Sequence, residues 1–213
     1  MAASAGPLAI LRGSALAVFA SAILWAWAYP ATADTLGRVD IGASAPAFTA
    51  MGADGRPHSL SDYAGRIVVL EWTSPVCPFT AIEYRSGAMQ ALQRRAARHG
   101  AVWLSIDTSA PGRPGYLSAE AANKRVARLH ATVTAFLSDP DGRIGRAYGA
   151  KATPQFFMID RVGKLAYQGS MHGQDTGRPP RTRGAARAAL DDLTNGRPVA
   201  VPETPPYGCP VEY

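Results

Sequence analysis

A chain of 213 residues allows one domain of ordinary size plus appendages, with a core that needs no disulfide staples to form. Its 22 Lys+Arg against 16 Asp+Glu give a formal charge of +6, with arginines gathered at Arg94, Arg95 and Arg98 and again at Arg178, Arg181, Arg183 and Arg187. No aromatics interleave these clusters, which argues against a nucleic-acid surface and for a solvated basic face.

Residues 1–33 read as a processing signal. Arg12 supplies a positive n-region, Ala15 to Tyr29 an apolar core, and Ala31-Thr32-Ala33 the small residues before a cleavage point, leaving Asp34 as the mature N-terminus. The competing reading is an uncleaved anchor, because the apolar core approaches the ~17 residues that can span a bilayer. Membrane contact is expected only in that case. Under either reading the remaining chain is exported, periplasmic or secreted, in a compartment where disulfides persist.

From 40 to 65 the chain reads as an irregular lead-in: a short extended piece at Ala47 to Ala50, a turn at Ala53-Asp54-Gly55, and one helical turn at Ser59 to Tyr63 ended by Gly65. Ile67 to Trp72 is a buried, β-branched strand that stops at Ser74-Pro75 and hands over to a helix at Cys77-Pro78. Apolar residues Ile82, Met89, Leu92 and Ala96 then recur at helical spacing, and one helix is expected up to His99-Gly100.

Ala101 to Asp107 is a second buried strand, so strand, helix, strand predicts a parallel crossover. A Gly/Pro loop over 108–118 and a helix from Ala119 to Leu129 follow. Val133 to Leu137 reads as a strand, Arg143 to Tyr148 as a short helix, and Gln155 to Asp160 with Lys164 to Gly169 as an antiparallel pair about the turn Arg161-Val162-Gly163. The last helix is Arg183 to Leu193. These elements delimit one domain over 34–196, and Pro198, Pro202, Pro205, Pro206 and Pro210 make 197–213 an extended tail carrying Cys209.

Two cysteines, with neither a nearby histidine nor a second pair, fall short of the ligand set of a structural metal site. No metal and no cofactor is expected. Cys77 stands at a strand-to-helix turn, where a helix's unpaired N–H groups favour the thiolate, the reactive nucleophile. Trp72 and Trp103 read as core aromatics; His99 and His130 end helices, His58 and His172 lie in loops, and none is an evident base.

The order of these elements, with Cys77 at the turn and Thr153-Pro154 before the next-to-last strand, resembles the thioredoxin fold. Five segments, residues 40–65, VVLEW, SDPDGRIGRAYG, ATPQFFMID and GKLAYQG, look like its redoxin branch, the alkyl hydroperoxide reductase and thiol-specific antioxidant relatives. The ending Tyr207-Gly208-Cys209-Pro210-Val211-Glu212-Tyr213 is similar to that of some exported single-domain redoxins. The resemblance implies an α/β three-layer fold, a central mixed sheet flanked by helices. It also implies a substrate groove formed by Thr153, Pro154, Pro78 and Phe79.

Both motifs of the relatives are incomplete. Where a disulfide oxidoreductase has C-x-x-C this chain has Cys77-Pro78-Phe79-Thr80, and where a peroxiredoxin has P-x-x-x-T-x-x-C it has Leu70 and Ser74. A catalytic Cys77 therefore needs a second thiol, and Cys209 is the candidate for resolving its sulfenic acid or mixed disulfide. The competing reading is a permanent Cys77–Cys209 bond pinning the tail, in a noncatalytic binding module.

Glu71, six residues before Cys77, would by resemblance relay protons. Its plainer reading is a partly exposed edge residue or an ion pair with Lys151 or Lys164. The expected activity is thiol-disulfide exchange or thiol peroxidase chemistry. The expected partners are a protein disulfide or hydroperoxide substrate and a thiol electron donor.

Overall fold

The computed structural model describes residues 1–3, 38–173 and 184–213. The chain divides into units Met1–Ala33 and Asp34–Tyr213, and every element below belongs to the second. The processing signal, Arg178, Arg181 and the expected start of the last helix at Arg183 lie outside the described residues.

A seven-stranded mixed sheet is the frame. Its strands are β1 (Thr49–Gly52), β2 (Pro57–Ser59), β3 (Val68–Trp72), β4 (Val102–Asp107), β5 (Ala135–Ser138), β7 (Gln155–Ile159) and β8 (Leu165–Gly169), in spatial order β2-β1-β5-β4-β3-β7-β8. A separate two-stranded pair joins β6 (Ala152–Thr153) to β9 (Cys209–Pro210). The helices are α1 (Pro78–Arg85), α2 (Ala88–Arg98), α3 (Ala119–Arg128), α4 (Arg143–Tyr148) and α5 (Ala185–Thr194). β3 runs parallel to β4 and antiparallel to β7, the expected crossover and closing hairpin.

With both faces covered, a central strand reads as a continuous apolar run, and all five residues of β3 are buried. Side chains alternate across the sheet. Val68, Leu70 and Trp72 pack with Leu104, Ile106, Leu137, Tyr148 and Phe157 on the α4 side. Ile67 and Val69 pack with Met89, Leu92, Trp103, Phe156 and Leu190 on the side of α2 and α5. Trp72 and Trp103 are core residues, as expected.

Three departures from the sequence reading have physical causes. The helix expected from Cys77 to His99 is two helices, because Gly87 adopts φ 79° and turns the chain between Ser86 and Ala88. The lead-in strand lies two residues later than expected and pairs with β2 in a hairpin that the sequence reading lacks. The tail, expected to be flexible, is fastened along its length. Gln168 N–H donates to Pro202 O, Thr204 N–H to Gln168 O, Val211 N–H to Lys151 O, and Tyr213 Oη to Ala150 O.

Candidate active site

β3 ends at Trp72, and the chain turns through Thr73 to Val76 to place Cys77 as the N-cap of α1. Pro78 occupies the first helical position, where a missing N–H costs nothing. The amide groups of Phe79 and Thr80 remain in the open first turn, aimed toward the cysteine end. Cys77 is 2% exposed, and its sulfur is bonded to Cys209, with 5.8 Å between the two Cα atoms. Both cysteines are thus used in one disulfide, and the structure brings together the two ends of the chain's chemistry.

Thr153 and Pro154, joined by a cis peptide bond, lie across from the disulfide. The Thr153 carbonyl oxygen is 3.0 Å from Cys77 Sγ, and Thr153 pairs in antiparallel register with Cys209. Gly208 makes this approach feasible: a Cβ there would sit 2.1 Å from Thr153 O, and its φ is 147°. Phe79 and Pro154 line a groove of about 530 Å³ together with Ile82, Met171 and Tyr207. Phe79 meets Tyr207 edge-on at 4.9 Å, so the tail supplies one wall of that groove. Pro78 is exposed beside it.

Thr80, fully buried in the first turn of α1, has a hydroxyl with no hydrogen-bond partner among the described residues, and so do buried Thr73 and Thr153. A second cavity, of about 280 Å³, lies against both cysteines and is bounded by Trp72, Thr73, Asp107, Thr153 and Glu212. Among its described lining residues are two acids, Asp107 and Glu212, and no base.

Glu71 is neither an edge residue nor an ion-pair partner of Lys151 or Lys164. It sits on an interior strand of the sheet, flanked by β4 and β7, with no exposed surface. Register explains its surroundings: Glu71 is level with Ser105 on β4, so Ser105 Oγ and Trp103 Nε1 each donate to its Oε2 at 2.8 Å. Tyr84 Oη donates to Oε1 at 3.2 Å, and Gln93 Nε2 donates to Tyr84 Oη at 3.0 Å. Among the described residues, none of these hydrogen bonds reaches a sulfur.

Burial raises the Glu71 carboxyl above its ordinary value, and the Trp103, Ser105, Tyr84 and Gln93 donors pull the other way. A carboxyl with a raised folded-state pKa binds its proton more tightly in the native state. Stability therefore falls as pH rises from the ordinary carboxylate value through the raised one. Glu71→Gln is expected to flatten that fall, measured by denaturant melts across the acid range. An unchanged slope would mean the carboxylate is no more costly folded than unfolded.

Sequence reasoning missed Asp107, Thr73, Tyr84 and the tail contacts. The strand register could have paired Glu71 with Ser105, and Gly208 before Cys209 was a local sign of close approach. Of the histidines, His58 Nδ1 lies 2.5 Å from Tyr63 Oη, whereas His172, with Nε2 3.0 Å from Glu83, lines the Phe79–Pro154 groove together with that glutamate.

A cysteine at a helix N-terminus beneath a mixed sheet, opposite a Thr-Pro pair, defines a thioredoxin-like oxidoreductase. The chain belongs to the AhpC/TSA family, whose model matches residues 41–168. No curated protein matches it. Among solved structures, it is similar to an uncharacterised conserved protein of Geobacillus kaustophilus, 26% identical with a TM-score of 0.72 over 83% of this chain and 94% of that one. A hypothetical protein of Sinorhizobium meliloti, 23% identical, shares the fold with a TM-score of 0.71 over 83% of this chain and 96% of that one. A Chlorobium tepidum protein provisionally assigned as a DsbE thiol:disulfide interchange protein is 26% identical, with a TM-score of 0.55 over 73% of this chain and 99% of that one.

Proposed function

We propose that the protein is an exported thiol-disulfide oxidoreductase in which Cys77 is the attacking thiolate and Cys209 the resolving thiol. The observation that carries this reading is the Cys77–Cys209 bond itself, made between a helix N-cap and a strand-paired tail. In the reduced protein the first-turn amides of α1 favour the Cys77 thiolate. The unpartnered Thr80 hydroxyl is a further donor in that first turn. Cys77 attacks one sulfur of a substrate disulfide, expelling the other as a thiolate, and a mixed disulfide remains. Cys209 thiolate then attacks Cys77 Sγ, the substrate's second thiolate leaves, and the bond seen here is formed. Two electrons pass to the substrate and the protein ends oxidised; an external thiol donor resets it.

Glu71 acts behind this pair by holding α1 through Tyr84, and as a buried acid it also exchanges protons with the site. If Glu71→Gln leaves the pH dependence of Cys77 alkylation unchanged, the proton role is wrong and the anchoring role stands alone. Export is supported by the signal-like text of residues 1–33. No helix among the described residues is long and apolar enough to cross a membrane.

Hydroperoxide is the alternative oxidant. Attack of the Cys77 thiolate on a peroxide oxygen would break the O–O bond, expel water or an alcohol and leave a Cys77 sulfenic acid, which condenses with the Cys209 thiol to the same disulfide with release of a second water. The peroxidatic P-x-x-x-T-x-x-C pattern has Leu70 and Ser74 in place of its proline and threonine here, which weighs against this route. Mixing the reduced protein separately with hydrogen peroxide and with a disulfide substrate, and following Cys77 by mass spectrometry, tests the choice. Fast exchange with slow peroxide reaction is expected. Inertness to both, or a reduction potential well below about −300 mV, would mark the bond as a structural staple.

A further inference from the structure

The thiol reading of the site leaves the electron donor unnamed, and the two approaches to the disulfide differ. On one side β9 is paired to β6, with Gly208 packed against the Thr153 carbonyl and Tyr207 against Phe79. A protein strand could reach this edge only by removing the tail. The other side is the cavity of about 280 Å³, lined by both Cys77 and Cys209. Its size lies just below the range of drug-sized sites, about 300–1,000 Å³, which suits a molecule of a few heavy atoms.

The cavity's charge is of one sign. Asp107, 4% exposed, accepts from Ser109 N–H through Oδ1, and Glu212 stands exposed at the rim. Arg125 on α3 is the cation that acts on Asp107, but it does not line the cavity, and among the described residues it forms no ion pair with Asp107. The hydroxyls of Thr73 and Thr153, buried in the same wall, have no partner among the described residues. A small guest with a cationic, hydrogen-donating end would be held here, and a thiol on that guest would be beside the disulfide.

We propose that this cavity admits a small aminothiol as the electron donor, its ammonium group held by Asp107 and Glu212. This rests on the redox reading of the Cys77–Cys209 pair. The donor thiolate attacks Sγ of Cys209, the less buried of the two cysteines, and Cys77 leaves as the thiolate favoured at the α1 N-terminus. A second donor thiolate attacks the donor sulfur of the mixed disulfide, releasing the aminothiol disulfide and Cys209 thiolate. Two donor thiols become one disulfide, and their two protons end on the protein cysteines.

The test compares cysteamine, 2-mercaptoethanol and 3-mercaptopropionate as reductants of the oxidised protein at about pH 8, with rates taken per thiolate. Free-thiol titration reads the product. Cysteamine is expected to be about tenfold faster than the neutral thiol, with the anionic thiol slower still, and added salt should narrow the spread. Asp107→Asn and Glu212→Gln should each reduce the cysteamine advantage; the exposed Glu212 keeps the test open if the buried variant fails to fold. Equal rates for all three thiols would overturn the aminothiol site and leave the redox pair intact. Resistance to all three, while a denatured sample is reduced, would overturn both.

Discussion

Cys209→Ser is expected to hold a disulfide substrate on Cys77 as a persistent mixed disulfide, whereas Cys77→Ser should capture none. The asymmetry follows from backbone placement. Cys77 caps α1, and a helix's unpaired first-turn amides favour a thiolate; Cys209 lies on the short strand β9. Resolution in the intact protein is intramolecular. Even a flexible tether supplies an effective thiol concentration in about the millimolar range, and a positioned one far more. This tail is positioned by Thr204, Val211 and Tyr213 independently of the disulfide.

Removing Cys209 should therefore slow release of the substrate by at least about tenfold against dilute external thiol. Gel shift and mass spectrometry of acid-quenched mixtures would read the adduct. Capture by Cys209 in the Cys77→Ser variant at the intact rate would reverse the assignment. The variant also loses the cross-link over a 132-residue separation, which on the chain-entropy model stabilises by about 4–5 kcal/mol. Its stability should accordingly be compared with the reduced, not the oxidised, parent.

The second large effect is expected at Gly208. In Gly208→Ala the new Cβ would meet Thr153 O at 2.1 Å and Pro154 N at 3.2 Å, both backbone atoms that cannot turn aside. β9 must leave β6, and the cost should be about 1–3 kcal/mol. A displacement of about 1 Å in a reacting group can cost about a hundredfold in rate, so disulfide closure after reduction should slow by that order. Alkylation of Cys77 in the reduced variant should become faster, since the tail covers it. Stopped oxidation time courses with thiol-specific labelling would measure both. Unaltered closure would show that the tail finds Cys77 without the β6 pairing.

The two predictions concern features of unequal legibility. Cys77 was evident from one local pattern, an apolar β-branched run ending in Ser-Pro and Cys-Pro, because a strand-to-helix turn is written by neighbours in sequence. The short helix Arg143–Tyr148 and the closing hairpin were equally local and lie where expected. The break between α1 and α2 was hidden because Met89, Leu92 and Ala96 keep a helical period on both readings, while Gly87 alone changes the direction. Glu71 was misread on its plainer reading because exposure depends on which strands flank β3, and those come from distant parts of the chain.

By itself, then, the sequence determined the class of fold and the strand-to-helix address of Cys77, and it offered Cys209 as the candidate partner. Hydrophobic periodicity, proline and glycine act over a few residues, so these features can be read without coordinates. The tertiary structure alone decided that Glu71 is buried among Trp103, Ser105 and Tyr84, and that the tail is a paired strand. It also decided that Asp107 and Glu212 share a cavity with the disulfide. Each of these joins residues far apart in the chain, and such contacts are set by strand order and register, which no local pattern records.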